Sequence, residues 1–159
     1  MPRTTLLRNW LGQVFAPAFP GWDVHLEAAS ADASFRRYFR VLLPDQTTRI
    51  VMDAPPEKED CRPFVQVAAL FREADVHLPE VLASNLEQGF LLLSDLGSTT
   101  YLSALQDRSV APRLYADANR ALLAIQLASR PDVLPAYDRG SSAASWLCFP
   151  SGTCAATSE

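Results

Sequence analysis

Ser30-Ala-Asp-Ala-Ser-Phe-Arg-Arg-Tyr-Phe-Arg-Val41 is the stretch on which the reading of this chain turns. Small or polar residues at 30–34 run directly into an aromatic-rich segment with the two-residue period of a strand. In extended backbone Phe35, Arg37, Phe39 and Val41 share one side, while Arg36, Tyr38, Arg40 and Leu42 share the other. Residues 22–29 also read as extended, so the whole predicts a strand, a tight small-residue turn and a second strand. Such a turn lets backbone N–H groups approach an anion, and neighbouring arginines neutralise its charge. The pattern therefore predicts a hairpin that covers the phosphates of a nucleotide. It also fits an ordinary hairpin carrying surface arginines.

The remaining composition narrows the class. A chain of 159 residues is the size of one domain and can bury a real core. A hydrophobic share of 48% with 20% charged residues predicts a globular, water-soluble protein. The net charge of -4 argues against a general nucleic-acid binder, which needs a concentrated basic face. The aromatics and arginines of 35–40 suit base stacking, but no second basic cluster joins them. Lys58 is the only lysine, so arginine carries nearly all the positive charge and suits bidentate contacts to phosphate or carboxylate. Cys61, Cys148 and Cys154 lack zinc-like spacing. Arg8, Asn9 and Gln13 interrupt any signal-peptide core, and no apolar run approaches a membrane span. A cytoplasmic protein without a membrane or nucleic-acid partner is expected.

Along the chain, residues 4–15 predict a helix capped by Thr4 or Thr5, with Leu7, Trp10, Leu11 and Val14 on one stripe. The hairpin follows, and then a third strand at 49–53, closed by Ala54-Pro55-Pro56. Phe64, Val67, Ala68 and Phe71 fall at helical spacing and predict a helix that lays this face on the sheet. Strands at 81–84 and 90–93 flank a turn at 85–89. A short helix at 99–105 precedes a strong one at 112–129, with Leu114, Ala118, Ala121, Leu122 and Ile125 on one face. Leu123 and Leu127 lie elsewhere on it, so this helix expects cover on more than one side.

Five strands with a helix after the third, followed by helices, is the order of a protein-kinase-like small lobe. On Asp32-Ala-Ser-Phe-Arg-Arg-Tyr-Phe-Arg40, Val51-Met-Asp-Ala-Pro-Pro-Glu57 and Leu91-Leu-Leu-Ser-Asp-Leu-Gly97, the chain resembles the aminoglycoside phosphotransferase family. Within it, the likeness is to bacterial cell-wall-recycling kinases that phosphorylate the anomeric hydroxyl of N-acetylmuramate and N-acetylglucosamine. The resemblance covers about the first 139 residues. It implies an α+β fold: a five-stranded antiparallel sheet plus helix at 1–97, then the first helices of a truncated large lobe at 98–139. It implies ATP and Mg as cofactors and an amino sugar as acceptor. The nucleotide-contacting positions it implies are Asp32, Ala33, Ser34, Phe35, Arg36, Arg37 and Met52, with Ser94, Asp95 and Leu96 at the hinge that meets adenine.

The chain departs from that pattern in two places. The third strand should end in a lysine, yet it reads Val51-Met52-Asp53. Arg36 or Arg37 is then the candidate for the missing charge, and Asp53 a turn residue or an arginine partner. Lys58 lies outside the strand and reads as surface. The family's catalytic aspartates belong to a His-Gly-Asp motif and a later strand. The only histidines, His25 and His77, precede no Gly-Asp, and both read as structural or exposed. No catalytic residue or metal ligand is assigned to this chain.

Residues 140–158 hold no charged residue and show no helical or strand period. Residues 150–159 can be back-translated so that another frame reads Glu-Trp-Tyr-Val-Arg-Arg-His-Leu-Gly, close to the family's expected continuation. A frameshift near Arg139 is one expectation, and a divergent tail of its own is the other. Two readings of function follow: an ATP-dependent sugar kinase reduced to its nucleotide-binding part and inactive alone, or a non-catalytic lobe that binds a protein partner. In either case an apolar face is left exposed, so marginal stability or self-association is expected.

Overall fold

Helix α1, Arg3–Phe15, opens the fold and closes one side of its core. The computed structural model describes residues 2–31, 35–130 and 132–134. The Pro2 carbonyl accepts from the N–H groups of Thr5 and Leu6 at 3.0 and 3.3 Å, so both threonines lie inside the first turn. The cap expected at Thr4 or Thr5 therefore sits earlier, at Pro2. Leu7, Trp10 and Leu11 are buried along one stripe, as the spacing predicts, but Phe15 completes it and the expected Val14 is only partly buried.

Five strands form one antiparallel sheet: β1 Glu27–Ala31, β2 Arg37–Leu42, β3 Thr48–Asp53, β4 Val81–Asn85 and β5 Phe90–Ser94. Their spatial order is β1-β2-β3-β5-β4. The first three follow the chain as a meander, and the β4–β5 hairpin inserts its second strand beside β3. The mixed α/β architecture is that of a kinase-like N-terminal lobe. Residues 22–26, expected to be part of the first strand, lie outside it, and β1 begins at Glu27.

The inner strand β5 is buried on both faces over Phe90–Leu93, which explains its unbroken apolar run. Phe90 and Leu92 meet α1 together with Val41 and Val51, and the Trp10 and Phe90 rings lie 5.7 Å apart. Leu91 and Leu93 point the other way, packing with Met52, Ala54 and Cys61.

Asp53 is the one charged residue fully buried among the described residues. It faces α1, where the Arg3 Nε donates to its Oδ1 at 3.0 Å and Arg37 donates to its Oδ2. Arg3 also donates to the Gln88 carbonyl at 2.8 Å, with its guanidinium 5.0 Å from the Phe90 ring centroid. Two arginines on one carboxylate satisfy a charge that would otherwise be costly to bury. Of the two roles expected for Asp53, the structure shows the arginine partner.

Helix α2, Arg62–Arg72, follows with Pro63 in its first turn. Its apolar face is less sealed than the periodicity predicts. Phe64 and Val65 pack against the second core cluster, but no residue of the helix is buried. The rest of the face borders an open groove. Helices α3, Tyr101–Ala104, and α4, Ala111–Ala128, complete the described chain, with Thr100 capping α3 through its hydroxyl. On α4, Leu114, Ala118, Ala121 and Ile125 are half-buried, whereas Leu122, Leu123 and Leu127 are exposed. An ion pair from Arg130 to Glu73 ties the segment after α4 to the end of α2. Among the described residues, no helix is long and apolar enough to cross a membrane.

Candidate functional site

Strand alternation sets which side chains face away from α1. On β2 and just before it these are Arg36, Tyr38 and Arg40; on β3 they are Ile50 and Met52. Tyr38, Ile50 and Leu93 form the floor of a groove of about 280 Å³, walled by Phe64, Pro79 and Ser94–Gly97. A second apolar space of about 390 Å³ continues from it, sharing Phe64 and Pro79 and bordered by Val67, Ala68, Phe71, Leu78 and Arg36. The face of α2 that the sequence assigned to the sheet thus forms one wall of this groove.

One end is braced by a charge pair. Arg40 donates from Nε to Asp95 Oδ2 at 2.6 Å, from Nη2 to Asp95 Oδ1 at 3.1 Å, and from Nη2 to the Gly97 carbonyl at 3.2 Å. The Gly97 N–H donates back to Asp95 at 2.8 Å. This bidentate fork pins the chain leaving β5 to the middle of β2. Hydrogen bonding from Arg40 is the main cause that holds the Asp95 carboxyl down to about 2, against a smaller opposing effect of burial. Ser94 is fixed too: its hydroxyl accepts from the Glu80 N–H at 2.8 Å, and its own N–H donates to the Glu80 carbonyl. These bonds hold 94–97 in place at the edge of the groove.

At the other end, the Arg36 Nη2 donates to Glu59 Oε2 at 3.2 Å. Burial works against its positive charge, but Glu59 and Tyr38 outweigh it, and the Arg36 pKa lies above the ordinary value.

The residues expected from the sequence divide among several places. Ser94, Asp95 and Leu96 line the groove, and Arg36 borders its continuation. Arg37 lies on the opposite face, on Asp53. Met52 is fully buried in the core below the sheet, beside Leu91. Phe35 is exposed, with the Lys58 amine 4.5 Å from its ring centroid. Asp32, Ala33 and Ser34 lie outside the described residues, as do 140–159. Tyr38, Ile50, Phe64 and Pro79 were not expected as site residues, Phe64 having been assigned to a helix face on the sheet, although the alternation that groups Tyr38 with Arg36 and Arg40 was available to find one of them.

A five-stranded antiparallel sheet with a groove beside the helix that follows its third strand is the arrangement of a kinase-like N-terminal lobe. The chain belongs to the phosphotransferase enzyme family, whose model matches residues 25–147. It is similar to the N-acetylmuramate/N-acetylglucosamine kinase of Pseudomonas aeruginosa, with 47% identity over 150 residues, covering 91% of this chain and 44% of that protein. The protein of the same name from Neisseria meningitidis is 40% identical over 153 residues, covering 94% of this chain and 44% of its own length. That from Pseudomonas putida is 50% identical over 113 residues, 71% of this chain and 33% of its own. The chain spans less than half the length of these curated relatives.

Proposed function

We propose that this chain is the nucleotide-binding part of an ATP-dependent kinase acting on the anomeric hydroxyl of an amino sugar in cell-wall recycling, in the cytoplasm. The observation that carries the reading is the apolar groove over Tyr38, Ile50 and Leu93, ending at a segment held by Arg40. A purine slots between such walls, with its edge toward the backbone of 94–96. Of the loop 32–37 that the sequence assigned to the phosphates, 32–36 keep that role in this reading, whereas Arg37 is held by Asp53 on the other face of the sheet. The names of the relatives supply the class of acceptor.

In this reading 1–97 is the small lobe and 98–139 begins the large one. Neither the base that accepts the sugar proton nor a ligand of Mg is assigned to a residue of this chain. Among the described residues, no three His, Cys, Asp or Glu side chains group to hold a metal ion. Bound Mg would neutralise charge on the phosphates during transfer.

A frameshift accounts for 140–159. The whole segment, not only its last part, can be back-translated so that another frame reads Gly-Leu-Leu-Arg-Arg-Glu-Leu-Ala-Leu-Phe-Pro-Glu-Trp-Tyr-Val-Arg-Arg-His-Leu-Gly. Its opening has the mixed apolar and charged character of a surface helix, which 140–149 lacks. The family match runs on to 147, so over 140–147 it and the shifted frame make opposite claims.

Reading the encoding DNA past the Arg139 codon decides between them. A second frame continuing through Glu-Trp-Tyr to a His-Gly-Asp is expected. The protein with that frame restored should consume ATP in the presence of N-acetylmuramate or N-acetylglucosamine. A restored protein that binds both substrates without phosphorylating either sugar would refute the assignment.

Exposed Leu123 and Leu127, one turn apart on α4, support a second reading, a non-catalytic lobe that associates through this helix face. Self-association growing with concentration, without nucleotide binding, would favour it.

A further inference from the structure

Five arginines stand in or near the sheet, and their placement separates their roles. Arg49, on β3, shares the α1 face of Val51 and Asp53 and donates to the Thr48 carbonyl at 2.7 Å. Arg3 and Arg37 lie on the α1 face, both bound to buried Asp53. Arg40 lies on the groove face, but it is engaged by Asp95 and Gly97 at the strand exit. Arg36 shares the face of Arg40 and Tyr38 and borders the opposite end of the groove, next to Phe64 and Pro79. Its carboxylate partner, Glu59, sits in the turn before α2, where its N–H donates to the Pro55 carbonyl at 2.9 Å. Both side chains keep some contact with solvent, 32% for Arg36 and 19% for Glu59.

Four residues along a strand span about 13 Å. That is the reach of an extended nucleoside triphosphate from its base to its outer phosphates. A ligand whose base meets 94–97 therefore brings its phosphates to Arg36 by lying along β2. β3 offers no cation there, because its groove-side residues are Met52, which pairs with Tyr38, and Ala54 just beyond it, both apolar.

We propose that Arg36 is the phosphate-binding cation of the groove and that Glu59 is its positioning residue, holding the guanidinium against the groove wall from the turn before α2. The assignment rests on the nucleotide reading above. A guanidinium presents five N–H donors in a planar fork, so Arg36, engaged by Glu59 and Tyr38, can exchange or share donors with incoming phosphate oxygens. Arg37 is excluded from this role by its face of the sheet.

The test is calorimetric titration of this chain with adenosine and, separately, with ATP. Wild type should bind ATP more tightly than adenosine. Arg36→Ala should lose about tenfold or more in ATP affinity, the scale of a charge-assisted contact, with adenosine affinity unchanged. Arg36→Lys should recover part of the loss, and Arg37→Ala should keep ATP affinity within about twofold. Glu59→Ala should weaken ATP severalfold in the wild type and have no further effect when Arg36 is already alanine, a coupling that a purely structural role would not give. Unchanged ATP affinity in Arg36→Ala while adenosine still binds would overturn the assignment and leave the nucleotide reading intact. If wild type binds neither adenosine nor ATP, the nucleotide reading falls and the assignment falls with it.

Discussion

Gly89→Ala is expected to lower the unfolding free energy by about 3 kcal/mol or more, the largest effect anticipated for a one-carbon change in this chain. Gly89 ends the β4–β5 turn with φ at 72°, a left-handed conformation in which a β-carbon is strained. Space is the greater obstacle. A methyl group there would stand 1.8 Å from the Ala54 carbonyl oxygen, which is backbone and cannot rotate away. Ala54 is itself fully buried, and its N–H donates to the Gly89 carbonyl at 2.8 Å. Relief would require moving β5 relative to β3, disturbing both core clusters and the groove floor at Leu93. Urea unfolding of the variant and the wild type measures the difference. A loss below about 1 kcal/mol would show that the turn yields more easily than this packing allows.

The second large effect is a loss of stability in acid that traces to Asp95. Its carboxyl is held at about 2, below the ordinary aspartate value of 3.8, and its side chain is 5% exposed. A depressed pKa means that the folded state favours the carboxylate. The stabilisation is therefore complete above about pH 4 and is lost as pH falls through about 2. A shift of this size corresponds to at most about 2 kcal/mol. Asp45, Asp60 and Asp107 are also lowered, so acid unfolding of wild type alone would mix several groups. Comparison with Asp95→Asn isolates the hinge carboxylate. The stability difference between the two proteins should be largest at neutral pH and shrink toward pH 2. A constant difference over that range would mean that the Arg40 fork does not hold the charged form.

Much of this architecture was legible because local periodicity reports which residues share a face. The stripe of Leu7, Trp10 and Leu11 and the run of β5 both led directly to the core. Periodicity does not report what covers a face. Phe64, Val67, Ala68 and Phe71 were grouped correctly, yet they form a groove wall rather than a sealed contact. The arginine pairs were hidden for a related reason. Alternation already separates Arg36 and Arg40 from Arg37, but their partners Glu59, Asp95 and Asp53 lie 23, 55 and 16 residues away. Only the folded sheet brings those carboxylates to them. Met52 and Asp53 show the same limit: the sequence marks the end of the third strand, and packing decides that Met52 enters one core cluster and Asp53 the other side.

The account stands on the groove over β2, β3 and β5 being a nucleotide site. Its most direct test is a two-dimensional amide NMR titration of this chain with ATP. Saturable shifts concentrated at Leu93, Ser94, Asp95, Leu96 and Gly97, with Tyr38 and Ile50 beside them, are the predicted result. A spectrum unchanged at those residues by millimolar ATP, or shifts confined to α1 and α4, would contradict it.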